Sequence, residues 1–408
     1  MDGRLSGLVD GAAAKVLSAV EALPSRSNQH EFNGVQSLKV LFGEARRTFE
    51  ARFLYVPDDE EKFVQATGFL TWYDAREAHA TRSEHRLYFP ENDATLLIRP
   101  GDLAVILRLA NGEAMVVFAP HASTVERQLL WLFGVESQDP RFQVRITADW
   151  NPELGFAARQ VLRQLGLEPE VAPVEEESDL DLLVGRYGAG FPSTREFSAF
   201  ARSRTPDVDP KEDPDGTLMA WLEREEALFR QLERHLLLDR LREGFDDDVD
   251  AFISFSLSVQ NRRKSRVGHA LELHAAAILD AHQVSYSHGA VTEGSSRPDF
   301  LFPSIEAYRD TSRSAASLAM LGVKTTCKDR WRQVLAEADR IERKHLLTLE
   351  PGISPTQLSE MHAREVQLVV PRSLQASYQV PGHVSILTLG EFLMLPAVSP
   401  LQWRGVSE

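Results

Sequence analysis

The chain has 408 residues, a length that predicts two or three domains, each large enough to bury a hydrophobic core. Hydrophobic residues make up 43% of the sequence and charged residues 26%, which excludes collagen, coiled-coil fibres and disorder throughout the chain. Cys327 is its one cysteine, so an internal disulfide and a cysteine-based zinc cluster are excluded, and we expect a reducing, cytoplasmic setting.

The net charge of −15 by itself disfavours a polyanionic partner, because nucleic-acid affinity depends largely on Lys and Arg. The charge is unevenly distributed, however. Residues 151–250 contain 12 basic and 24 acidic groups, whereas residues 251–344 contain 14 basic and 10 acidic groups. From charge alone, a solvated helix face and a nucleic-acid-binding face are equally good interpretations of the basic clusters in the second segment. These clusters comprise Arg262, Arg263, Lys264 and Arg266, and then Lys324, Lys328, Arg330 and Arg332.

Residues 1–165 predict an α+β domain that begins with an amphipathic helix over residues 1–23. Strand-like runs follow at 52–56, 69–73 and 86–89. Asn111-Gly112 lies between two apolar runs and predicts a β-hairpin with a type I′ turn, because both residues tolerate a positive φ. A helix is predicted near 123–133. The acidic, proline-containing segment 166–190 predicts a linker.

Residues 191–408 predict an α/β domain. A capping pattern at Ser193-Thr194-Arg195-Glu196 starts a helical region that continues through 218–244 and 265–282. Thereafter strand-like runs alternate with helices, which implies crossover connections and a parallel or mixed central sheet covered on both faces. The predicted strands are 299–302, 318–324, 345–349 and 366–370, with helices at about 329–344 and 356–364.

Asp299 begins one predicted strand and Lys324 ends the next. Such a pair suits phosphodiester hydrolysis, since the carboxylate can hold a divalent cation and the ammonium can steady the attacking hydroxide. One carboxylate is rarely enough for Mg²⁺, so a second acid is required. The commonest nuclease pattern places it two residues before the lysine, where this chain has Gly322. Glu337 on the following predicted helix is the replacement candidate, and Glu272 on the preceding long helix is a third acid.

The residues alone leave two alternatives open. A proline-aspartate pair followed by a lysine also occurs by chance in chains of this length. Glu337 is equally compatible with an exposed helix carboxylate that pairs with Arg340 or Arg330.

Longer blocks of sequence carry a more specific signal. Residues 261–268, 271–274, 292–304 and 323–339 closely resemble the catalytic domain of the EcoRII-type restriction endonucleases, and the similarity extends over about residues 190–395. The resemblance implies the PD-(D/E)XK nuclease fold, in which a mixed central sheet is flanked by helices. It also implies the branch of that fold in which the second acid has moved to the helix after the lysine.

The resemblance assigns roles to individual residues. Asp299 and Glu337 would be metal ligands, Lys324 the catalytic lysine and Glu272 an auxiliary acid. Arg can bond to guanine and Asp can accept from the cytosine amino group, which gives a base-reading role to the start of the predicted helix. The residues there are Lys328, Asp329 and Arg330, while Arg262, Arg263, Lys264 and Arg266 would contact phosphates or a groove.

The resemblance further implies a homodimeric, Mg²⁺-dependent type II restriction endonuclease that cuts double-stranded DNA at a CCWGG-like site and leaves 5′-phosphate ends. A companion methyltransferase is expected in the host, and neither a membrane nor a nucleotide cofactor is expected. The rival interpretations are a structure-specific repair or junction nuclease on the same fold, a catalytically inactive DNA-binding regulator, and a nuclease dependent on methylated sites.

In the relatives, the amino-terminal half is a B3-like β-barrel that binds a second copy of the recognition site. The segment around Trp72 and the Asn-Gly hairpin are loosely similar to it. DNA contacts and an exposed strand are equally good interpretations of its aromatic and basic residues, which are Trp72, Tyr73, Arg76, Arg82 and Arg86.

Overall fold

The computed structural model describes residues 5–23, 30–32, 35–79, 81–135, 141–147, 155–169, 177–188 and 190–399. The chain divides into two compact units. The first unit comprises residues 1–170 with 351–357 and 377–379, and the second unit comprises 171–350, 358–376 and 380–408. Within the described ranges, none of the helices has the length and apolar character needed to cross a membrane.

The first unit is built on an eight-stranded sheet, with the strand order β2-β5-β4-β3-β7-β6-β1-β8. Neighbouring strands are antiparallel except for β3 and β7, which are parallel. The strands are β1 (Val9–Val16), β2 (Glu31–Phe32), β3 (Arg47–Tyr55), β4 (Val64–Asp74), β5 (His85–Tyr88), β6 (Leu103–Leu109), β7 (Ala114–Ala119) and β8 (Gln143–Ile146). The helices are α1 (Ala19–Ala22), α2 (Lys39–Phe42), α3 (Thr124–Phe133) and α4 (Phe156–Gln164).

The predicted amino-terminal helix is wrong, because its central residues form β1 between β6 and β8. Small side chains are needed there. A Cβ atom at Gly11 would lie 2.5 Å from a Leu41 methyl group and 2.8 Å from the carbonyl oxygen of Arg145. Alanine favours helices in isolation, but tertiary packing overrides this weak preference. The strand also carries Lys15, which is buried and forms an ion pair of 2.6 Å with Glu21.

The Asn-Gly hairpin between β6 and β7 is present, but its turn differs from the expected type I′. Gly112 has a φ of +89°, whereas Asn111 is not among the residues with positive φ. The N–H of Gly112 donates to the carbonyl of Leu109 at 2.9 Å, and the Asn111 side chain accepts from the N–H of Glu113 at 3.0 Å. One left-handed glycine closes the loop, as in the longer hairpin loops that contain a type I turn.

The central strands β6 and β7 are buried on both faces. One core joins one face of β1, β6 and β7 to α3 and α4, and the other core lies on the opposite face of these strands together with β2, β3, β4 and β5. The sheet is curled so strongly that its two edges approach each other: the rings of Phe32 at the end of β2 and Phe142 before β8 lie 5.7 Å apart. The described unit is thus α+β, as predicted, with a curled sheet at its centre.

The second unit contains a five-stranded mixed sheet, ordered β13-β12-β11-β10-β9. Its strands are β9 (Ser287–His288), β10 (Phe300–Phe302), β11 (Ala319–Lys324), β12 (Lys344–Thr348) and β13 (Val366–Val369). From β9 to β11 the neighbours are antiparallel, and from β11 to β13 they are parallel. Every residue of β12 is buried, which agrees with a central strand covered on both faces. The predicted mixed sheet is confirmed.

Helices surround this sheet. They are α5 (Glu177–Tyr187), α6 (Thr194–Ser203), α7 (Pro214–Glu243), α8 (Val249–Ala281), α9 (Ile305–Arg309), α10 (Pro355–Ala363), α11 (Arg372–Gln375) and α12 (Leu389–Leu393). The predicted capping box is present, with Ser193 and Glu196 bonded reciprocally at the start of α6. Both long helices exceed the predicted lengths.

Helix α5 lies inside the segment predicted to be a linker. The helix is fixed by a buried carboxylate: Asp179 is fully buried and pairs with Arg204 at 2.6 Å and also with Arg224. Leu183 is also fully buried and joins a core with α6 and α7. The acidic composition suggested a solvated connection, but here an acid is part of the packing, because its two arginine partners offset the cost of burial.

Candidate active site

Asp299 and Lys324 meet at one edge of the five-stranded sheet. Asp299 directly precedes β10 and Lys324 is the last residue of β11, and these positions coincide because the two strands are antiparallel. The Lys324 Nζ lies 3.0 Å from Oδ2 of Asp299, and this oxygen also accepts from the backbone N–H of Val323 at 2.6 Å. In the described part of the chain, Oδ1 of Asp299 has no hydrogen-bond partner.

Glu337 reaches the same region from a different kind of element than predicted. In place of an α-helix over 329–344, the chain forms a 3-10 helix, Lys328–Ala336, and Glu337 follows it with extended backbone angles. Trp331 and Val334, three residues apart, are both fully buried. This spacing suits a 3-10 helix, in which residues i and i+3 lie on the same side.

The electrostatics of Glu337 couple it to the other two residues. Burial raises the pKa of Glu337 to about 7, and the charge of Asp299 adds to this, while Lys324 and Lys344 act to lower it. Its Oε2 is buried and has no hydrogen-bond partner among the described residues, so Glu337 pairs with neither Arg340 nor Arg330. An unsatisfied buried carboxylate oxygen is costly in a folded protein and calls for an explanation.

A hard divalent cation fits this arrangement. Oε2 of Glu337 and Oδ1 of Asp299 are both unpartnered carboxylate oxygens, and Mg²⁺ prefers oxygen ligands of this kind. Such a site would be built from two carboxylates, since no group of three or more His, Cys, Asp or Glu side chains suited to a metal occurs in the described ranges. The proximity of Lys324 matches the chemistry expected from the sequence.

Gly322 leaves no room for an acidic side chain two residues before Lys324. A Cβ atom at this position would approach a Val334 methyl group to 2.9 Å, closer than real Cβ contacts. The 3-10 helix therefore packs directly over β11, and Glu337 at its end comes within reach of Asp299 and Lys324. An acidic side chain at 322 would displace the helix that carries Glu337.

We expect the Gly322→Ala variant to lose about 1 to 3 kcal/mol of unfolding free energy, the usual cost of overpacking, and to lose activity by moving Glu337. Urea denaturation and cleavage assays measure the two effects. The double variant Gly322→Ala/Val334→Ala, compared with Val334→Ala alone, tests the cause: if Val334 is the obstacle, the added alanine at 322 is far less harmful. An equal loss in both backgrounds would contradict the packing explanation.

The structure does not bring Glu272 into contact with the other three site residues. The Glu272 carboxylate on α8 is bonded to the imidazole of His288 on β9, and its side chain is 26% exposed. His288 is paired with Phe300, the residue after Asp299. Glu272 is thus linked to the strand that follows Asp299 only through His288. Its auxiliary role stays a prediction.

The three predicted base-reading residues have different environments. Lys328 is 7% exposed, and its backbone N–H donates to the buried carboxylate of Glu350 at 2.9 Å. The side chain of Asp329 lies outside what the structure describes. Arg330 is exposed. Of the two described side chains, Arg330 is the one exposed to solvent, and the base-reading roles stay predictions.

The basic cluster on α8 is partly used for packing. Arg263 forms a bidentate ion pair with Glu233 of α7: its Nε lies 3.0 Å from Oε1 and its Nη2 lies 2.6 Å from Oε2. Arg266 is 9% exposed, pairs with Glu225 and has its guanidinium 4.2 Å from the ring centre of Phe197. These placements give Arg263 and Arg266 structural partners, and the expectation of a DNA contact does not fit the buried Arg266. The guanidinium of Arg262 lies over Phe191, and Lys264 is exposed.

Most of the side chains predicted to contact DNA in the first unit are bonded to other residues of the same unit. Trp72 is fully buried, and its indole N–H donates to the carbonyl of Gly43 at 2.9 Å. The predicted DNA contact of Trp72 is therefore wrong. Among the other four side chains, Tyr73 is bonded to Glu31, Arg76 to Glu84, Arg86 to both acids, and Arg82 is exposed.

Sequence reasoning missed the residues that hold the segment after the 3-10 helix. Lys344, at the start of β12, is buried and donates to two backbone carbonyls of that segment. Tyr308, on α9, donates its hydroxyl to Glu293. Nothing in the spacing of these residues indicates that they meet, because their contacts depend on loop geometry.

Comparison with known proteins supports the family resemblance found in the sequence. The family model described as EcoRII C terminal matches residues 229–393. The type II restriction enzyme EcoRII of Escherichia coli is 43% identical over 229 residues, which cover 56% of this chain and 55% of that protein. The alignment therefore spans about half the length of that relative.

Two solved structures of restriction endonucleases are also similar. One is metal-depleted Ecl18kI in complex with uncleaved, modified DNA, with a TM-score of 0.43, 17% identity and coverage of 58% of this chain and 87% of that one. The other is a complex of PspGI with substrate DNA, with a TM-score of 0.38, 17% identity and coverage of 44% and 77%. The sequence matches to the family model and to the E. coli enzyme confirm the resemblance to the EcoRII C-terminal family over residues 229–393.

Proposed function

We propose that this protein is a Mg²⁺-dependent type II restriction endonuclease whose centre consists of Asp299, Lys324 and Glu337. The observation that supports it most is the ion pair of Asp299 and Lys324 at a sheet edge, beside a buried carboxylate with an unpartnered oxygen. This group of residues lies in the part of the chain that is homologous to a restriction enzyme.

Each residue has a distinct task in the proposed reaction. The bound cation would supply Lewis-acid polarisation of the scissile phosphate and lower the pKa of water. Asp299 is held by Val323 and Lys324 through Oδ2, which keeps Oδ1 available as a ligand. The Lys324 ammonium donates to the attacking oxygen and offsets the charge that develops on the phosphate. Glu337, with its pKa near 7, gives up its proton to act as a ligand.

The target we propose is a CCWGG-like site in double-stranded DNA, cut to leave 5′-phosphate ends. A near-palindromic site is served by two centres related by a two-fold axis, so we propose that the protein acts as a homodimer. Arg330 is exposed at the start of the 3-10 helix, and an arginine can bond to both acceptors of a guanine. Lys264 and Arg262 are the proposed contacts to the DNA backbone.

Sequencing the ends of digestion products tests this proposal. Linear DNA with one CCWGG site, two sites or none is incubated with the protein and Mg²⁺, with EDTA as the control. We expect Mg²⁺-dependent ends at one short motif, each with a 5′-phosphate. Ends that follow branches or lesions would instead identify a structure-specific nuclease, and uncut DNA that is bound specifically would identify a regulator. Methylated substrate, run in parallel, separates a methylation-dependent nuclease.

A further inference from the structure

We propose that Lys344 is a positioning residue that fixes the Glu337 carboxylate in its site, with Tyr308 and Glu293 as a second anchor for the same segment. This inference rests on the proposed function, because it assigns these residues to the metal-binding geometry of the nuclease centre. The anchored segment, residues 337–340, connects the 3-10 helix towards β12.

The first anchor is the ammonium of Lys344. Its side chain runs back from the start of β12, and Nζ donates to the carbonyls of Glu337 at 2.6 Å and Ala338 at 2.7 Å. The residue is only 5% exposed. A buried lysine is costly unless its charge has partners, and here two backbone oxygens and the nearby acids Asp339, Glu293 and Glu337 provide them. Backbone carbonyls of consecutive residues are thus tied to one point of the sheet.

The segment needs such an anchor, because its backbone is strained. Ala338 has a φ of +50° and is fully buried. The left-handed region is unfavourable for a residue with a Cβ atom, by about 1 to 3 kcal/mol, and persists only where the surroundings enforce it. Lys344 binds the carbonyls of the two peptides that flank Ala338, one on each side of this residue. The strained turn in turn sets the direction in which Glu337 leaves the 3-10 helix.

The second anchor comes from the other side of the segment. The Tyr308 hydroxyl donates to Glu293 at 2.7 Å and accepts from the backbone N–H of Arg340 at 3.2 Å. Glu293 also accepts from the N–H of Asp339 at 3.3 Å. The segment therefore has its carbonyls bound by a cation and its N–H groups bound by an anion and a phenol.

Neither Lys344 nor Tyr308 has to touch the cation for this to matter. Residues that orient metal ligands are worth about 10-fold to 100-fold in metal affinity or activity when they are removed. Loss of the Lys344 donors would let Ala338 relax out of its left-handed conformation and move the Glu337 carboxylate. The affinity for the cation would then fall, while contacts to DNA elsewhere in the protein would be unchanged.

The test compares the full-length Lys344→Met variant with the wild type and with Arg343→Met. Arg343 is the neighbouring residue, is 58% exposed and pairs with Glu365, so its substitution removes the same charge without the buried contacts. Mn²⁺ binding is measured by electron paramagnetic resonance, and the dependence of cleavage on Mg²⁺ concentration is measured separately from the KM for DNA. We expect Lys344→Met to weaken Mn²⁺ binding and raise the half-saturating Mg²⁺ concentration by about 10-fold or more, with KM unchanged and with excess Mg²⁺ restoring much of the rate.

The results distinguish the positioning role of Lys344 from the proposed function. Wild-type Mn²⁺ affinity and Mg²⁺ dependence in Lys344→Met would overturn the positioning role, with the proposed function intact. No Mn²⁺ binding and no cleavage by the wild type would instead overturn the proposed function. If Lys344→Met does not fold, Tyr308→Phe replaces it, since this change removes one hydroxyl; a Mg²⁺ requirement about 3-fold higher or more supports the inference, and an unchanged one overturns it.

Discussion

The Asp299→Asn and Lys324→Met variants will bind specific DNA and fail to cut it, with rates lower than wild type by about 100-fold to 1,000-fold. Asn keeps an oxygen that can accept from Val323 but loses the negative charge that a cation requires. Met keeps the length of Lys324 but has no proton to donate to the attacking oxygen. Cleavage is measured in single-turnover reactions with Mg²⁺, and binding by gel shift with Ca²⁺ in place of Mg²⁺.

The matched control is Asp310→Asn. This carboxylate follows α9 on the same stretch of chain, is exposed and bonds within its own loop to Ser312. The control should cut at the wild-type rate. Cleavage by Asp299→Asn or Lys324→Met at a comparable rate would remove that residue from the proposed centre.

Glu337→Gln is expected to abolish cleavage and to stabilise the metal-free protein. Because burial raises the pKa of Glu337 from 4.5 to about 7, the unfolded chain ionises at lower pH than the folded protein. Stability therefore falls as the pH rises from 4.5 to 7 and is then constant. Glutamine removes this fall. With allowance for partial exposure, we expect a gain of about 1 to 2 kcal/mol at pH 8 and almost none at pH 4.

Urea denaturation with EDTA at the two pH values measures this gain. Glu342→Gln is the control, since Glu342 is exposed five residues further along the chain. The Glu342→Gln variant should be as stable as the wild type at both pH values. Added Mg²⁺ should reverse the order, because it stabilises the wild type and not Glu337→Gln. A Glu337→Gln variant no more stable than the wild type at pH 8 would contradict the burial cost assigned to the ionised Glu337 carboxylate.

Long periodic segments and strands with clear ends were predictable from the sequence. The run that became α7, the strands β11 and β13 and the capping box of α6 lie close to their predicted positions. The errors fall where tertiary packing decides. The alanine-rich β1 has helical residues but fits only as a strand between β6 and β8, and α5 has the composition of a linker but buries Asp179 between two arginines.

Part of the candidate site was also predictable from the sequence, and part was not. Asp299 and Lys324 follow from strand ends and family resemblance, and they lie within hydrogen-bonding distance. The conformation that carries Glu337 does not follow, because periodicity does not distinguish a 3-10 helix with a left-handed turn from an α-helix. Charge could not separate Lys264, which is exposed, from Arg266 two residues on, which is buried against acids and aromatic rings.

The contact between Gly322 and Val334 has a bearing on how related chains are recognised. A side chain at 322 and the methyl group of Val334 exclude each other sterically, so a strand acid at 322 requires a smaller residue at 334 as well. A glycine two residues before the lysine, with a small apolar residue ten residues after it and a glutamate three further on, is then a usable signature. Database searches with this signature would find nucleases whose strand lacks the familiar carboxylate and which are otherwise classed as inactive.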